Sequence, residues 1–255
     1  MLFDKFVNRI IVKGTLEAID PIHIGTSEKN SLKPTEVDMS VLKDHLGNPV
    51  IPGSSIKGAI RSYFESVMRG IYPNDIENKK VCNVLEDNYS CINQEIIKGL
   101  KEKISKEESK IDEVELSKKI YEKSCDVCKL FGNKSIAGKL QFKDCMFKGD
   151  KPIYEHRDGV AINRYTGAAQ SGAKYDFEIV AKGTQFDFYM IAENLNNTQK
   201  KQLDFIIKLL EGKSTIDGDY LSIGGKTTRG MGRVKLINYT KNEITAEELK
   251  KNFNF

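Results

Sequence analysis

Residues Ile51–Arg61 read IPGSSIKGAIR, and the first helix and its surroundings follow from this stretch. An extended Ile51-Pro52 meets a turn at Gly53, after which Ile56, Ala59, Ile60 and Phe64 recur at helical spacing. Ser54 or Ser55 is the expected N-cap, because a hydroxyl there can accept from the amides of the first turn. Lys57 and Arg61, four residues apart, fall on one helix face beside those amides. Free N–H groups, a favourable dipole and two cations make a seat for a phosphate. A Walker loop is excluded, since Gly58 is followed by Ala59 where Lys-Ser or Lys-Thr is required. The helix is expected to stop at Gly70, a favoured residue after a helix end.

The 255 residues suffice for one large domain carrying a substantial insertion. A hydrophobic content of 39% supports a core, and 30% charged residues favour a soluble chain. The net charge of +4 does not by itself argue for nucleic acid. Its distribution says more: Leu221–Tyr239 holds Lys226, Arg229, Arg233 and Lys235 without an acid, whereas Glu95–Lys123 is balanced like a solvated helix face. Met1–Arg9 carries charges and no long apolar run, so no secretory signal, no membrane span and a cytoplasmic location are expected.

In that compartment cysteines read as thiols or metal ligands. Cys125-Asp-Val-Cys128 is a two-residue-spaced knuckle, and Cys82 and Cys91 would complete a tetrahedral sulfur site for structural zinc. A redox CxxC is the rival reading, but it wants a thioredoxin-type βαβ context. Cys145 lies in an alternating strand, outside this set.

Arg9–Asp20 reads as a strand ended by Pro21, and His23 alternates with Ile22 and Ile24 as a partly exposed strand histidine would. A polar loop then leads to Asp38, ahead of the apolar Met39 and Val41. A carboxylate there could hold a divalent metal beside a phosphodiester or orient a 2′-hydroxyl; Glu36 and Asp44 are weaker candidates. Gly138–Lys148 and the run from Phe177 to Ala192, broken at Gly183, give three further strand signals. Residues 150–177, between them, are too long for an ordinary hairpin loop. They hold Arg157, Arg164, Tyr165 and Lys174, a mixture of cations and an aromatic suited to phosphates and base faces. Asn196–Gly212 reads as a second helix, and a glycine-rich loop at 221–234 carries Lys226 and Arg229, where backbone N–H groups can approach an RNA chain closely. The tail from Asn242 suggests a short terminal helix.

Strand, helix, strand, strand, helix, strand in this order predicts an α+β, ferredoxin-like (RRM-like) β-α-β-β-α-β core. A zinc-bearing helical insertion at 71–137 and a thumb-like β-hairpin at 150–177 interrupt it.

PIHIG (21–25), IPGSSIKGAIR (51–61), CKLFGNKSIAG (128–138), RDGVAINRYTGAAQSGAKYDFE (157–178) and the glycine-rich loop stand in the order found in the CRISPR-associated RAMP superfamily. The chain most resembles the backbone subunits of type III effector complexes, and A-K-Y-D-F-E-I-V is similar to the group-seven relatives, as in a type III-D system. The resemblance implies a subunit that packs head to tail with copies of itself and with other effector subunits along a guide RNA. It implies that Ser54, Ser55, Lys57, Arg61, Lys226 and Arg229 contact phosphates, and that the thumb kinks the guide–target duplex. It further implies that Asp38 cuts the complementary target RNA with magnesium or manganese. A purely structural RNA-binding subunit is the alternative. A repeat-processing nuclease would want a histidine base, and His23, His45 and His156 do not form a convincing set.

Overall fold

The structure, a computed structural model, describes residues 4–25, 39–75, 79–107, 112–214 and 218–253. In chain order it comprises β1 (Asn8–Ala18), β2 (Val50–Ile51), α1 (Gly53–Ile71), α2 (Gln94–Glu107), α3 (Glu113–Lys123), α4 (Asp126–Phe131), β3 (Leu140–Phe142) and β4 (Cys145–Lys148). The hairpin strands β5 (Tyr154–Ile162) and β6 (Ala169–Val180) follow, then β7 (Gln185–Glu193), α5 (Asn197–Leu210), β8 (Val234–Thr245) and α6 (Ala246–Phe253).

The main sheet is antiparallel throughout, with β1 between β7 and β8, and β3 and β4 on the far side of β7. Alternation decides its faces. Ile10, Val12 and Leu16 of β1, and Phe186, Phe188 and Met190 of β7, are buried in one core with Ile56, Ile60 and Phe64 of α1. Leu203, Ile206, Ile207 and Leu210 of α5 complete it. Arg9, Lys13 and Tyr189 point the other way. The result is a mixed α/β architecture of helices on one face of an antiparallel sheet.

Helix α1 differs at both ends from the sequence expectation. Its N-cap is Pro52, and neither serine caps it. Instead Gly53 N–H donates to Asp144 Oδ1 at 2.8 Å, so a carboxylate from the β3–β4 turn occupies the positive end of the helix. At the other end the helix passes Gly70 and closes at Tyr72, whose N–H bonds the Met68 carbonyl at 2.9 Å. Pro73 follows, and it disfavours helical geometry in the residue before it. The tail segment likewise begins later than expected, because β8 runs on to Thr245 before α6.

Gly53 has a second duty. A Cβ there would stand 2.3 Å from the Phe142 carbonyl oxygen, whereas one on Gly58 would meet nothing within 4 Å. Gly53→Ala is therefore expected to cost about 2 kcal/mol or more and to lower Tm by about 4–8 °C. Gly58→Ala, on the exposed helix face, should gain up to ~1 kcal/mol from helix propensity. Thermal unfolding followed by circular dichroism separates the two.

Candidate nucleic-acid interface and metal centre

The segment 150–177 is a formed hairpin. Strands β5 and β6 pair from Tyr154↔Val180 to Ile162↔Ala169. At the tip Asn163 Oδ1 accepts from Tyr165 N at 2.9 Å and Thr166 N at 3.2 Å, and Gly167 takes the positive φ that closes the turn. Arg164 and Tyr165 ride on this tip, Tyr165 wholly exposed. Val160 and Ile162 are also exposed along β5. Lower down, Lys174 pairs with Asp158 at 3.1 Å and Arg157 lies 3.7 Å from Glu155.

The hairpin's root is where three segments meet. Phe177 and Ile179 of β6 bury against Met231 of the glycine-rich loop, with Tyr175 packed beside them. Lys226 lies over the Phe177 ring at 4.1 Å and the Tyr175 ring at 5.0 Å, and Arg229 donates to the Tyr175 hydroxyl at 2.9 Å. The third segment is the chain just after Asp38. Asp38 itself, like Glu36, lies outside the described residues. Met39, which follows it, accepts from Glu178 N–H at 3.0 Å, and its sulfur stands 3.8 Å from Lys226 Nζ. Glu178 secures this edge. One of its carboxylate oxygens accepts from Val41 N–H at 3.0 Å and the other from Lys43 Nζ at 2.8 Å. Lys43 in turn sits 4.1 Å over the Tyr154 ring.

His23 is buried rather than partly exposed. Its Nδ1–H donates to the Glu178 carbonyl at 2.7 Å, and its ring meets Phe177 edge-on. The glycine-rich loop closes over the same turn. Gly225 N–H bonds the His23 carbonyl at 2.8 Å and Gly232 N–H bonds the Pro21 carbonyl at 2.9 Å. A Cβ on Gly224 would stand 2.3 Å from that His23 carbonyl, so the glycine permits the close approach. Arg233 is already paired with Asp20.

The expected RNA-contacting residues thus separate. Lys226 and Arg229 stand with the hairpin root, and Arg157, Lys174, Arg164 and Tyr165 extend along the hairpin. Ser54, Ser55 and Lys57 occupy the start of α1, and burial together with the neighbouring Arg61 lowers the Lys57 pKa. Arg61 turns elsewhere. Its guanidinium donates to Glu65 at 2.8 Å, to the Gly132 carbonyl at 2.9 Å and toward Cys128 Sγ at 3.6 Å. The sequence reading missed the Tyr175–Phe177–Glu178 root. The alternation in KYDFEIV could have put both aromatics on one strand face.

Cys82, Cys91, Cys125 and Cys128 are all buried, and their sulfurs lie within 4.8 Å of one another. Cys82 and Cys128 sulfurs are 3.6 Å apart. A tetrahedral ion with metal–sulfur bonds of ~2.3 Å has sulfur–sulfur edges of about 3.8 Å, so the cluster can hold a metal. Cys125 caps α4 by accepting from Cys128 N–H at 3.3 Å. The Cys82 segment is folded around Asp75, whose carboxylate accepts from the amides of Lys79, Lys80 and Val81 at 3.0, 2.7 and 3.0 Å. Hydrogen bonding from Cys125, then Cys128, holds the Cys82 thiol below its ordinary value.

The sequence profile of the family described as the RAMP superfamily matches residues 15–235. This chain belongs to the RAMP superfamily. The matched span runs from within β1 through the insertion, hairpin and glycine-rich loop to the start of β8. Three curated relatives bear the name CRISPR system Cms endoribonuclease Csm3. The one from Methanocaldococcus jannaschii is 26% identical over 237 residues, spanning 89% of this RAMP chain and 78% of its own. That from Enterococcus italicus is 25% identical over 231 residues, 90% of each chain. That from Mycobacterium tuberculosis is 26% identical over 252 residues, 90% of this chain and 87% of its own. Among the described residues no helix is long and apolar enough to cross a membrane.

Proposed function

We propose that this RAMP chain is the guide-RNA-binding backbone subunit of a type III CRISPR effector complex and cuts the complementary target RNA at regular intervals. One observation carries the reading: Met39, next in sequence to Asp38, contacts both the hairpin root and Lys226. A loop able to bear a cutting carboxylate therefore shares its anchor with a protruding hairpin and a cationic, aromatic-backed glycine-rich loop. The names of the three relatives agree with a ribonuclease.

In this reading Ser54, Ser55, Lys57, Lys226 and Arg229 hold guide phosphates, while Arg157, Arg164, Tyr165 and Lys174 work on the duplex. Arg61 acts from beneath, tying α1 to the insertion. Copies pack head to tail along the guide, alongside other effector subunits, in the cytoplasm. The strand order β8-β1-β7-β3/β4, with α1 and α5 as crossovers, supports the ferredoxin-like description. The domain reading is one RAMP unit with an inserted subdomain at 71–137, a thumb at 150–177 and a glycine-rich loop at 221–234. The four cysteines would hold structural zinc, the usual occupant of a buried four-thiolate site.

Each phosphate contact has a salt signature. Lys226→Ala and Arg229→Ala are each expected to flatten the dependence of log affinity on log salt by about 0.7 for single-stranded guide. Fluorescence anisotropy across a salt series measures this, and an unchanged slope would remove that residue from the phosphate set.

The deciding experiment assembles the subunit on its guide RNA and adds labelled complementary RNA with magnesium or manganese. Evenly spaced products that need both guide and metal are expected. Target binding without cutting would favour the non-catalytic scaffold. Cutting of unpaired repeat RNA by the lone subunit would instead favour a processing nuclease.

A further inference from the structure

A cavity of about 730 Å³ opens where α3 and α4 meet the start of α5, with Tyr121, Lys129, Lys139, Gln199 and Gln202 in its walls. The volume is ligand-sized. Its rim includes Val7 and Asn194, at the Asn8 end of β1. His23 and the glycine-rich loop lie beyond the Ala18 end, roughly 33 Å along the strand. The cavity is therefore separate from the hairpin root and the glycine-rich loop.

Its electrostatics are incomplete. Lys139 is only 3% exposed. Its ammonium donates to the Asn194 carbonyl at 2.7 Å and to Gln199 Oε1 at 2.9 Å. Both acceptors are neutral, and an ammonium has a third donor. Among the described residues no carboxylate lies within ion-pair distance of it. Gln199 also belongs to the first turn of α5, so the buried cation faces the positive end of a helix dipole. A buried charge in that position is costly without an anion. Lys129 and Lys139 both approach the Tyr121 ring, at 5.9 and 5.4 Å, so the positive charge is doubled. On the same walls Asp126 is taken by Lys80 at 2.9 Å, and Glu122 is solvent-exposed. Finally, Gln202 Oε1 is buried with no hydrogen-bond partner among the described residues.

We infer that this cavity binds a phosphate monoester. The anionic oxygens would satisfy Lys139 and Lys129 and meet the amino end of α5. Gln202 Oε1 is closed to solvent, so the half-buried Gln202 side chain would turn into the cavity to accept from a hydroxyl on the phosphate or its sugar. A simple carboxylate answers the charge but leaves that oxygen without a donor.

Isothermal titration of inorganic phosphate and of adenosine 5′-monophosphate into the full chain tests this. One site per chain is expected, with affinity reduced at least fivefold by Lys129→Gln and by Gln202→Leu, and more by Lys139→Met. The first two variants leave the Lys139 hydrogen bonds intact, so they keep the test valid should Lys139→Met fail to fold. Guide-RNA affinity should stay within twofold in all three. A 5′-phosphorylated RNA tetramer binding more tightly than the mononucleotide would identify an RNA end as the source; the reverse order would identify a free nucleotide. No binding of either probe at about 10 mM, or binding untouched by Lys129→Gln and Gln202→Leu, overturns the proposal.

Discussion

Asp38→Ala is expected to lower cutting of guide-paired RNA at least ~100-fold, with guide and target binding within about twofold of the parent. General acid–base assistance by one positioned group is worth about 10²–10⁴ in rate, and the carboxylate would be the loop's one chemical contribution. In A-form RNA the 2′-hydroxyl is out of line with the leaving 5′-oxygen. A hairpin that displaces one nucleotide allows in-line attack. The 2′-oxygen would then bond phosphorus as its proton passes to the Asp38 carboxylate. The bond from phosphorus to the 5′-oxygen would break to leave a 2′,3′-cyclic phosphate, and the freed 5′-oxygen would take up a proton from water. In the alternative role, a magnesium or manganese ion held through Asp38 would neutralise charge on that phosphate. Asp44→Ala is the informative control. The Asp44 carboxylate is bound by its own turn, accepting from Leu46 N at 2.9 Å and Asn48 N at 2.8 Å. The bond from Asn48 leads the contributions that lower its pKa. Its removal should loosen the turn and leave cutting above half the parent rate. Single-turnover gels at matched target occupancy read both variants. Undiminished cutting by Asp38→Ala would move the chemistry to another residue or subunit.

Much of this molecule is legible before folding because its elements are periodic. The apolar faces of α1 and α5 follow from 3.6-residue spacing, and the four cysteines could be grouped from the CxxC spacing, their shared insertion and the compartment. The failures have a common physical origin in long-range contacts. Ser54 looked like a cap, yet Asp144, 91 residues from Gly53, supplies the carboxylate at that end. Arg61 looked like a phosphate ligand because its neighbours on the helix face are local. Besides Glu65 one turn along, it donates to Gly132 and toward Cys128, 71 and 67 residues away. His23 read as partly exposed because no local pattern announces that β6 and the glycine-rich loop close over it. Asp144 and Glu178 show how side chains at β-turns and hairpin roots anchor segments that periodicity alone leaves unplaced.

The second large effect concerns the cysteines. The chain is expected to carry one zinc, and Cys128→Ser should abolish stoichiometric binding and lower Tm by at least ~10 °C. Structural zinc contributes about 10–16 kcal/mol of apparent binding energy in small four-ligand sites, and that energy is linked to folding. Here the linkage reaches beyond the insertion. Leu130 and Phe131, two and three residues after Cys128, are buried in the main core, and Arg61 bridges α1 to Cys128 and Gly132. Loosening the knuckle therefore removes packing from under α1, so one cooperative loss is expected rather than local fraying. Cys145→Ser distinguishes a ligand from a merely buried thiol. Cys145 sits in β4 outside the cluster, and burial, followed by the nearby Asp144 charge, pushes its pKa up to about 12. The serine variant should keep its full zinc content and lose at most ~2 kcal/mol. Metal analysis by mass spectrometry, paired with thermal unfolding before and after chelation, reads both quantities. Full zinc occupancy in Cys128→Ser, or none in the parent, would sink the four-thiolate assignment. Retained Tm after complete zinc removal would instead show that the buried sulfurs and Arg61 hold the insertion without the ion.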